Sequence, residues 1–109
     1  MTESDVVRAL SALAQHSRLQ IFRALVVAGE GGLTPGRLSE SLGLPSTGLS
    51  FHLKELTHAG LITQERDGRH LIYRAAFSTM DEVLAYLTQN CCAGQPCELT
   101  DRTATCEGC

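Results

Sequence analysis

The sequence predicts a mainly α-helical winged helix-turn-helix, in the element order α-α-α-α-β-β-α. Three observations carry that reading. Ser46–Gly60 is a helix with one apolar and one polar face. A short helical stretch precedes it across the tight link Gly43-Leu44-Pro45, which matches helix-turn-helix spacing. After Gly60 the period changes from helical to alternating, and the two alternating runs meet at Asp67-Gly68, a strong hairpin signal because such turns need positive φ.

The chain opens with a helix over Glu3–Ala14, with Val6, Val7, Leu10 and Leu13 at helical spacing and Thr2 or Ser4 as its cap. His16, Ser17 and Arg18 read as a break. Leu19–Ala28 is strongly apolar through Leu19, Ile21, Phe22, Leu25 and Val26, so burial on more than one side is expected, with Gly29 as its stop. Thr34 caps a short helix whose first residue is Pro35. That helix exposes Arg37, buries Leu38 and Leu42, and ends at Gly43.

Pro45 suits the entrance of the next helix, where Ser46 and Thr47 offer oxygens to the free N–H groups of the first turn. At about 100° per residue, Leu49, Leu53, Leu56 and Ala59 share one side. Ser46, Thr47, Ser50 and Lys54 share the other, which is almost free of acids. Such a face fits a major groove: hydroxyls reach base edges or phosphates, and a lysine reaches phosphate. An ordinary solvated helix face has the same composition. Phe51 lies near the outward side, suited to a thymine methyl or to packing on the hairpin. His52 sits at the edge of the buried face, as a half-buried histidine or a base contact. His16, His58 and His70 lack metal-ligand spacing and read as surface residues.

Leu61–Arg66 and His70–Arg74 are the hairpin strands, and the tip carries Arg66, Arg69 and His70. A basic wing beside a helix-turn-helix clamps phosphate or the minor groove; a solubilising loop tip is the bland alternative. Met80–Thr88 is a last helix with Met80, Val83, Leu84 and Leu87 on one side, Ser78 or Thr79 as its cap and Asp81 and Glu82 near its positive end. So apolar a stripe on a short terminal helix wants a partner, and the first helix has a comparable one. The terminal helices are expected to bury one another in a homodimer, which would set two reading helices about 34 Å apart on double-stranded DNA.

Charge is divided along the chain. The net charge is −3, but residues 1–76 hold eight Lys/Arg against seven Asp/Glu, and residues 77–109 one against five. The acidity therefore lies away from the proposed DNA face. No run is long and apolar enough to span a membrane and no leader is evident, so the chain reads as cytoplasmic and intact from Met1, as one domain over 1–90 with a flexible cysteine-rich tail over 91–109.

All five cysteines, Cys91, Cys92, Cys97, Cys106 and Cys109, lie in the last nineteen residues. An odd number in a reducing compartment argues against a disulfide framework. Cys91, Cys92 and Cys97 can converge on one ion through the bend that Gly94 and Pro96 supply. An all-sulfur set selects thiophilic ions. Zn²⁺ prefers four ligands, and three thiolates suit a trigonal-pyramidal ion with a lone pair. Cys106-Glu107-Gly108-Cys109 is a second pair that would allow a four-cysteine Zn or Cd site.

Ala12-Leu13-Ala14-Gln15-His16-Ser17-Arg18-Leu19-Gln20-Ile21-Phe22, then Leu49-Ser50-Phe51-His52-Leu53-Lys54-Glu55-Leu56, Ala59-Gly60-Leu61-Ile62, and Gly68-Arg69 before Tyr73-Arg74 together resemble the ArsR/SmtB family of dimeric, metal-sensing winged-helix repressors. The likeness spans about residues 4–90. It implies a regulator that holds its operator when free of effector and leaves it when effector binds. Two common family sites are missing. The cysteine pair of many arsenic sensors would fall in Leu33-Thr34-Pro35-Gly36-Arg37-Leu38, which has none, and the last helix has Asp81 but no histidine of the zinc sensors. Cys91-Cys92 with Cys97 instead looks like an arsenic-sensing variant with a C-terminal three-cysteine site, which implies As(III) or Sb(III) as inducer and no organic cofactor.

The rivals are a thiol redox switch or a Zn/Cd sensor on the same fold, and a protein-interaction module. No nucleophile–base pairing or βαβ pattern supports an enzyme.

Overall fold

A computed structural model describes residues 1–89. The element order is α1 (Glu3–Leu13), α2 (His16–Ala28), a single 3-10 turn at Gly29–Gly31, α3 (Pro35–Leu42), α4 (Ser46–His58), β1 (Ile62–Asp67), β2 (His70–Ala75) and α5 (Phe77–Thr88). The five helices and the antiparallel hairpin follow the predicted order.

Thr2 starts α1 with a reciprocal cap. Its hydroxyl accepts from the Asp5 N–H and its own N–H donates to the Asp5 carboxylate, both at 3.1 Å. The buried side of α1 is Val6, Ala9 and Ala12, a stripe of small residues, while Val7 and Leu10 stay exposed. α2 starts at His16, because the Gln15 side chain accepts from the Arg18 N–H at 2.9 Å and caps the turn. The expected break at His16–Arg18 therefore shrinks to Ala14-Gln15. Burial on several sides of α2 is also corrected. Ile21, Phe22 and Leu25 are buried, but Leu19 is 48% and Val27 75% exposed. Leu19, Arg23 and Val27 recur every fourth residue and so form one outward stripe.

Thr34 caps α3 by accepting from the Arg37 N–H, Pro35 opens it and Gly43 closes it in the left-handed region at φ +67°. α4 follows across Leu44 and Pro45. No side chain caps it, so Ser46 and Thr47 do not play the capping role expected of them. Its Leu49, Leu53 and Leu56 are buried against α1, α2 and α3 in one core that also holds Leu38, Leu61, Ile62 and Val83.

In the hairpin Ile62 faces Ala75 and Asp67 faces His70. The turn is thus Gly68-Arg69, one residue later than expected, and Gly68 at φ +65° supplies the positive dihedral. The root of the wing is tied to the loop before α3. Leu33 and Tyr73 exchange N–H···O bonds of 2.9 and 2.8 Å. Arg74 donates from Nε to the Glu30 carbonyl at 2.6 Å and pairs with Glu65 at 2.6 Å. Gly32 is required there: at φ +66°, a Cβ on it would stand 2.6 Å from the Tyr73 carbonyl oxygen.

α5 begins at Phe77 after Ala76, three residues before the expected Met80, and has no side-chain cap from Ser78 or Thr79. Asp81 and Glu82 consequently fall beyond its first turn, outside the reach of the helix's positive end. Val83 is buried and Met80 packs on the core, but Leu84 and Leu87 are 50% and 55% exposed. No helix among the described residues is long and apolar enough to cross a membrane.

Candidate nucleic-acid interface

α4 is held by its leucines and so presents a fixed outer face. Ser46, Thr47, Ser50, Phe51 and Lys54 are all exposed on it, with Phe51 at 56%. No acid interrupts that side, because Glu55, the one carboxylate of α4, lines a different cleft with Arg8 and Arg18. A groove of about 210 Å³ joins α4 to the wing, lined by Ser50, Lys54, Thr57 and His58 of α4 and by Gln64 and Tyr73 of the strands. The helix and the hairpin thus share one continuous polar face. Arg66 and Arg69 are exposed at the far end of the hairpin. Among the described residues the only ion pair is Arg74–Glu65, so neither tip arginine is neutralised there.

Arg37 is exposed on α3 but does not join the α4 groove. It lines a small cavity with Gly32, Thr34 and Ile72 where α3 meets the wing root.

His52 differs from the other site residues. It is half-buried and turns toward α2, where Arg18 Nη1 lies 3.5 Å from its Nδ1. That geometry suits an unprotonated Nδ1 as acceptor. Burial first, and the Arg18 charge second, push the His52 imidazolium below its ordinary pKa. The same Arg18 donates from Nε to the Ala12 carbonyl at 2.7 Å, closing the end of α1. One guanidinium therefore links α1, α2 and α4. Phe51 stacks edge-on against His52, with centroids 5.7 Å apart.

Sequence reasoning missed three contributors to this site. Gln64 enters the groove because it pairs across the hairpin with Tyr73, a register that the one-residue shift of the turn had hidden. Thr57 lines the groove too, although its hydroxyl also donates back to the Leu53 carbonyl at 2.7 Å. Arg18 was read as part of a break, whereas it braces α4; its spacing from Gln15 was the available signal.

Cys91, Cys92 and Cys97, together with Cys106 and Cys109, lie outside the described residues. Among the described residues, no three His, Cys, Asp or Glu side chains are grouped to hold a metal ion.

A family profile described as a helix-turn-helix domain matches residues 13–65. A Halobacterium salinarum protein named as an arsenical resistance operon repressor, ArsR, is 40% identical over 72 residues, which cover 66% of this chain and 54% of that protein. The chain spans about half the length of the curated relatives it matches. Among solved structures, an ArsR-like transcriptional regulator from Rhodococcus sp. RHA1 superposes with a TM-score of 0.71 at 23% identity, covering 93% of this chain and 88% of that one. A crystal structure described as a regulator for arsenical resistance gives a TM-score of 0.64 at 26% identity, covering 88% and 93%. Fold, element order and relatives agree: the chain is a winged helix-turn-helix protein, similar to regulators of the ArsR/SmtB family.

Proposed function

We propose that this chain is a transcriptional repressor that binds operator DNA as a homodimer and is released when As(III) or Sb(III) binds the thiolates of Cys91, Cys92 and Cys97. The observation that carries the DNA-binding part is the shared face of α4 and the wing, where Ser50 and Lys54 meet Gln64 and Tyr73 in one groove. Ser46, Thr47, Ser50 and Phe51 address base edges; Lys54, Arg37, Arg66 and Arg69 address phosphates. His52 acts from behind α4 rather than on DNA. Dimerisation through α1 and α5 follows from the apolar side chains they leave exposed: Val7 and Leu10 on one, Leu84, Tyr86 and Leu87 on the other.

The sensor reading rests on sequence and on the arsenical-resistance name of the H. salinarum relative. Three neighbouring thiols and no imidazole suit a small thiophilic ion. The cysteines follow α5 directly, so closing them on an ion acts on the exit of the proposed dimer helix. A shift there alters the spacing of the two α4 helices, and couplings of about 1–3 kcal/mol are typical of such linkage.

Gel shifts on operator DNA with and without arsenite, repeated for Cys91→Ser, Cys92→Ser and Cys97→Ser, test this. Release by arsenite in the wild type and its loss in the variants is expected. Release by peroxide with indifference to arsenite would replace the metalloid with a redox signal.

A further inference from the structure

A second cleft, of about 490 Å³, lies behind α4, between its C-terminal end and the junction of α1 with α2. Arg8 and Ser11 of α1, Arg18 of α2, and Glu55 and His58 of α4 line it. Its volume is within the usual range for small-ligand sites, roughly 300–1,000 Å³.

Its charges are arranged as a receptor. Arg18 is already oriented, because its Nε is fixed on the Ala12 carbonyl. Arg8 is exposed on the neighbouring turn, and the nearby Asp5 carboxylate is engaged by Thr2 in the α1 cap. Neither arginine forms an ion pair within 4.0 Å among the described residues. The Arg8 guanidinium, the outer edge of Arg18 beyond its Ala12 and His52 contacts, and the Ser11 hydroxyl thus border one cavity whose lining holds a single carboxylate, Glu55. Guanidinium forks match oxyanions.

Glu55 decides which oxyanion. An ionised carboxylate only accepts hydrogen bonds, so it repels an anion that has no proton to offer. Hydrogen phosphate carries a P–OH; sulfate at neutral pH carries none. We propose that this cleft is a hydrogen-phosphate site, in which Arg8, Arg18 and Ser11 donate to the anionic oxygens and the P–OH donates to Glu55. The site shares only His58 with the α4 groove, and it touches α1 and α4 together, so its occupant bears on how the two helices sit.

Isothermal titration of the full, reduced chain at pH 7 and constant ionic strength, with sodium phosphate and in parallel sodium sulfate, tests the site. Saturable binding of one phosphate per chain is expected, at least tenfold tighter than sulfate. Arg8→Gln, a surface change on an intact helix, should weaken phosphate at least tenfold. Glu55→Gln, nearly isosteric, should bring sulfate to within about twofold of phosphate, which loss of structure would not do. Absent or non-saturable binding, equal affinity for the two anions in the wild type, or unchanged phosphate affinity in Arg8→Gln would overturn the proposal. So would loss of phosphate binding in Arg69→Ala, which would move the anion to the wing. If Arg8→Gln leaves free phosphate untouched but lowers the salt slope of operator binding by about one, the guanidinium serves the DNA backbone and the proposal fails.

Discussion

Arg18 shows how much one side chain can determine here. Its Nε closes the end of α1 through Ala12, and its Nη1 faces His52 on the back of α4. Replacing it with Ala leaves the Ala12 carbonyl without this charged donor, and thermal or denaturant unfolding should show a loss of about 1–3 kcal/mol. Lysine should not restore it, because a point charge cannot serve both partners as a planar fork does. The His52 imidazolium is disfavoured in the folded state by burial and by Arg18. A depressed folded pKa means that the unfolded chain binds the proton more readily. The contribution is therefore fully present above about pH 6.5, the ordinary histidine value, and is lost as pH falls through the lower folded value. Stability measured between pH 7 and pH 5 should fall, and His52→Gln should flatten that fall. An unchanged slope in the variant would remove His52 from the account. Gly32 is a second such position. Gly32→Ala meets both a positive φ and the Tyr73 carbonyl, so a cost of about 1–3 kcal/mol and a loosened wing root are expected, measurable by unfolding and by amide exchange at Tyr73.

At the scale of elements, the proposed interface assigns base reading to α4 and backbone contact to the wing. Arg69→Ala should weaken binding to specific and random DNA alike and lower the salt slope by about one, while Ser50→Ala should act on the preferred sequence by about 1–3 kcal/mol. Fluorescence anisotropy on the two duplexes at several salt concentrations separates these effects. Equal losses on both duplexes for Ser50→Ala would take base reading away from that residue. α4 was legible in the sequence because Leu49, Leu53 and Leu56 recur at helical spacing and all three are buried. α3 was equally legible, since Thr34, Pro35 and Gly43 each have a specific backbone role that the structure retains. The ends of α2 and α5 were not. Gln15 is an uncommon cap, and Ala76 leads into α5 with no side-chain bond at all, so no residue type announced either start. The wing was visible as a hairpin, but the position of its turn rests on whether Asp67 pairs or turns, and both suit aspartate locally. Periodicity likewise could not tell that α2 keeps Leu19 and Val27 outside.

For the whole molecule, burial leaves an imbalance that a second copy would relieve. Val7 and Leu10 of α1 and Leu84, Tyr86 and Leu87 of α5 remain exposed, as do Leu19 and Val27 on α2. A dimer is expected of the wild type in sedimentation velocity; Leu84→Glu combined with Leu87→Glu should give a folded monomer, and operator affinity should fall with it. A wild-type monomer would contradict this surface reading. The proposed division between a DNA-binding body and a thiol-bearing extension rests on composition: every cysteine lies beyond residue 90 and the basic residues lie almost entirely before residue 77. The most direct test measures operator affinity by fluorescence anisotropy, with and without arsenite, for the reduced wild type and for the full chain carrying Cys91→Ser, Cys92→Ser and Cys97→Ser together. The expected result is equal affinity of both proteins without arsenite and release of the wild type alone when it is added; release of the triple variant at the same arsenite concentration would contradict the account.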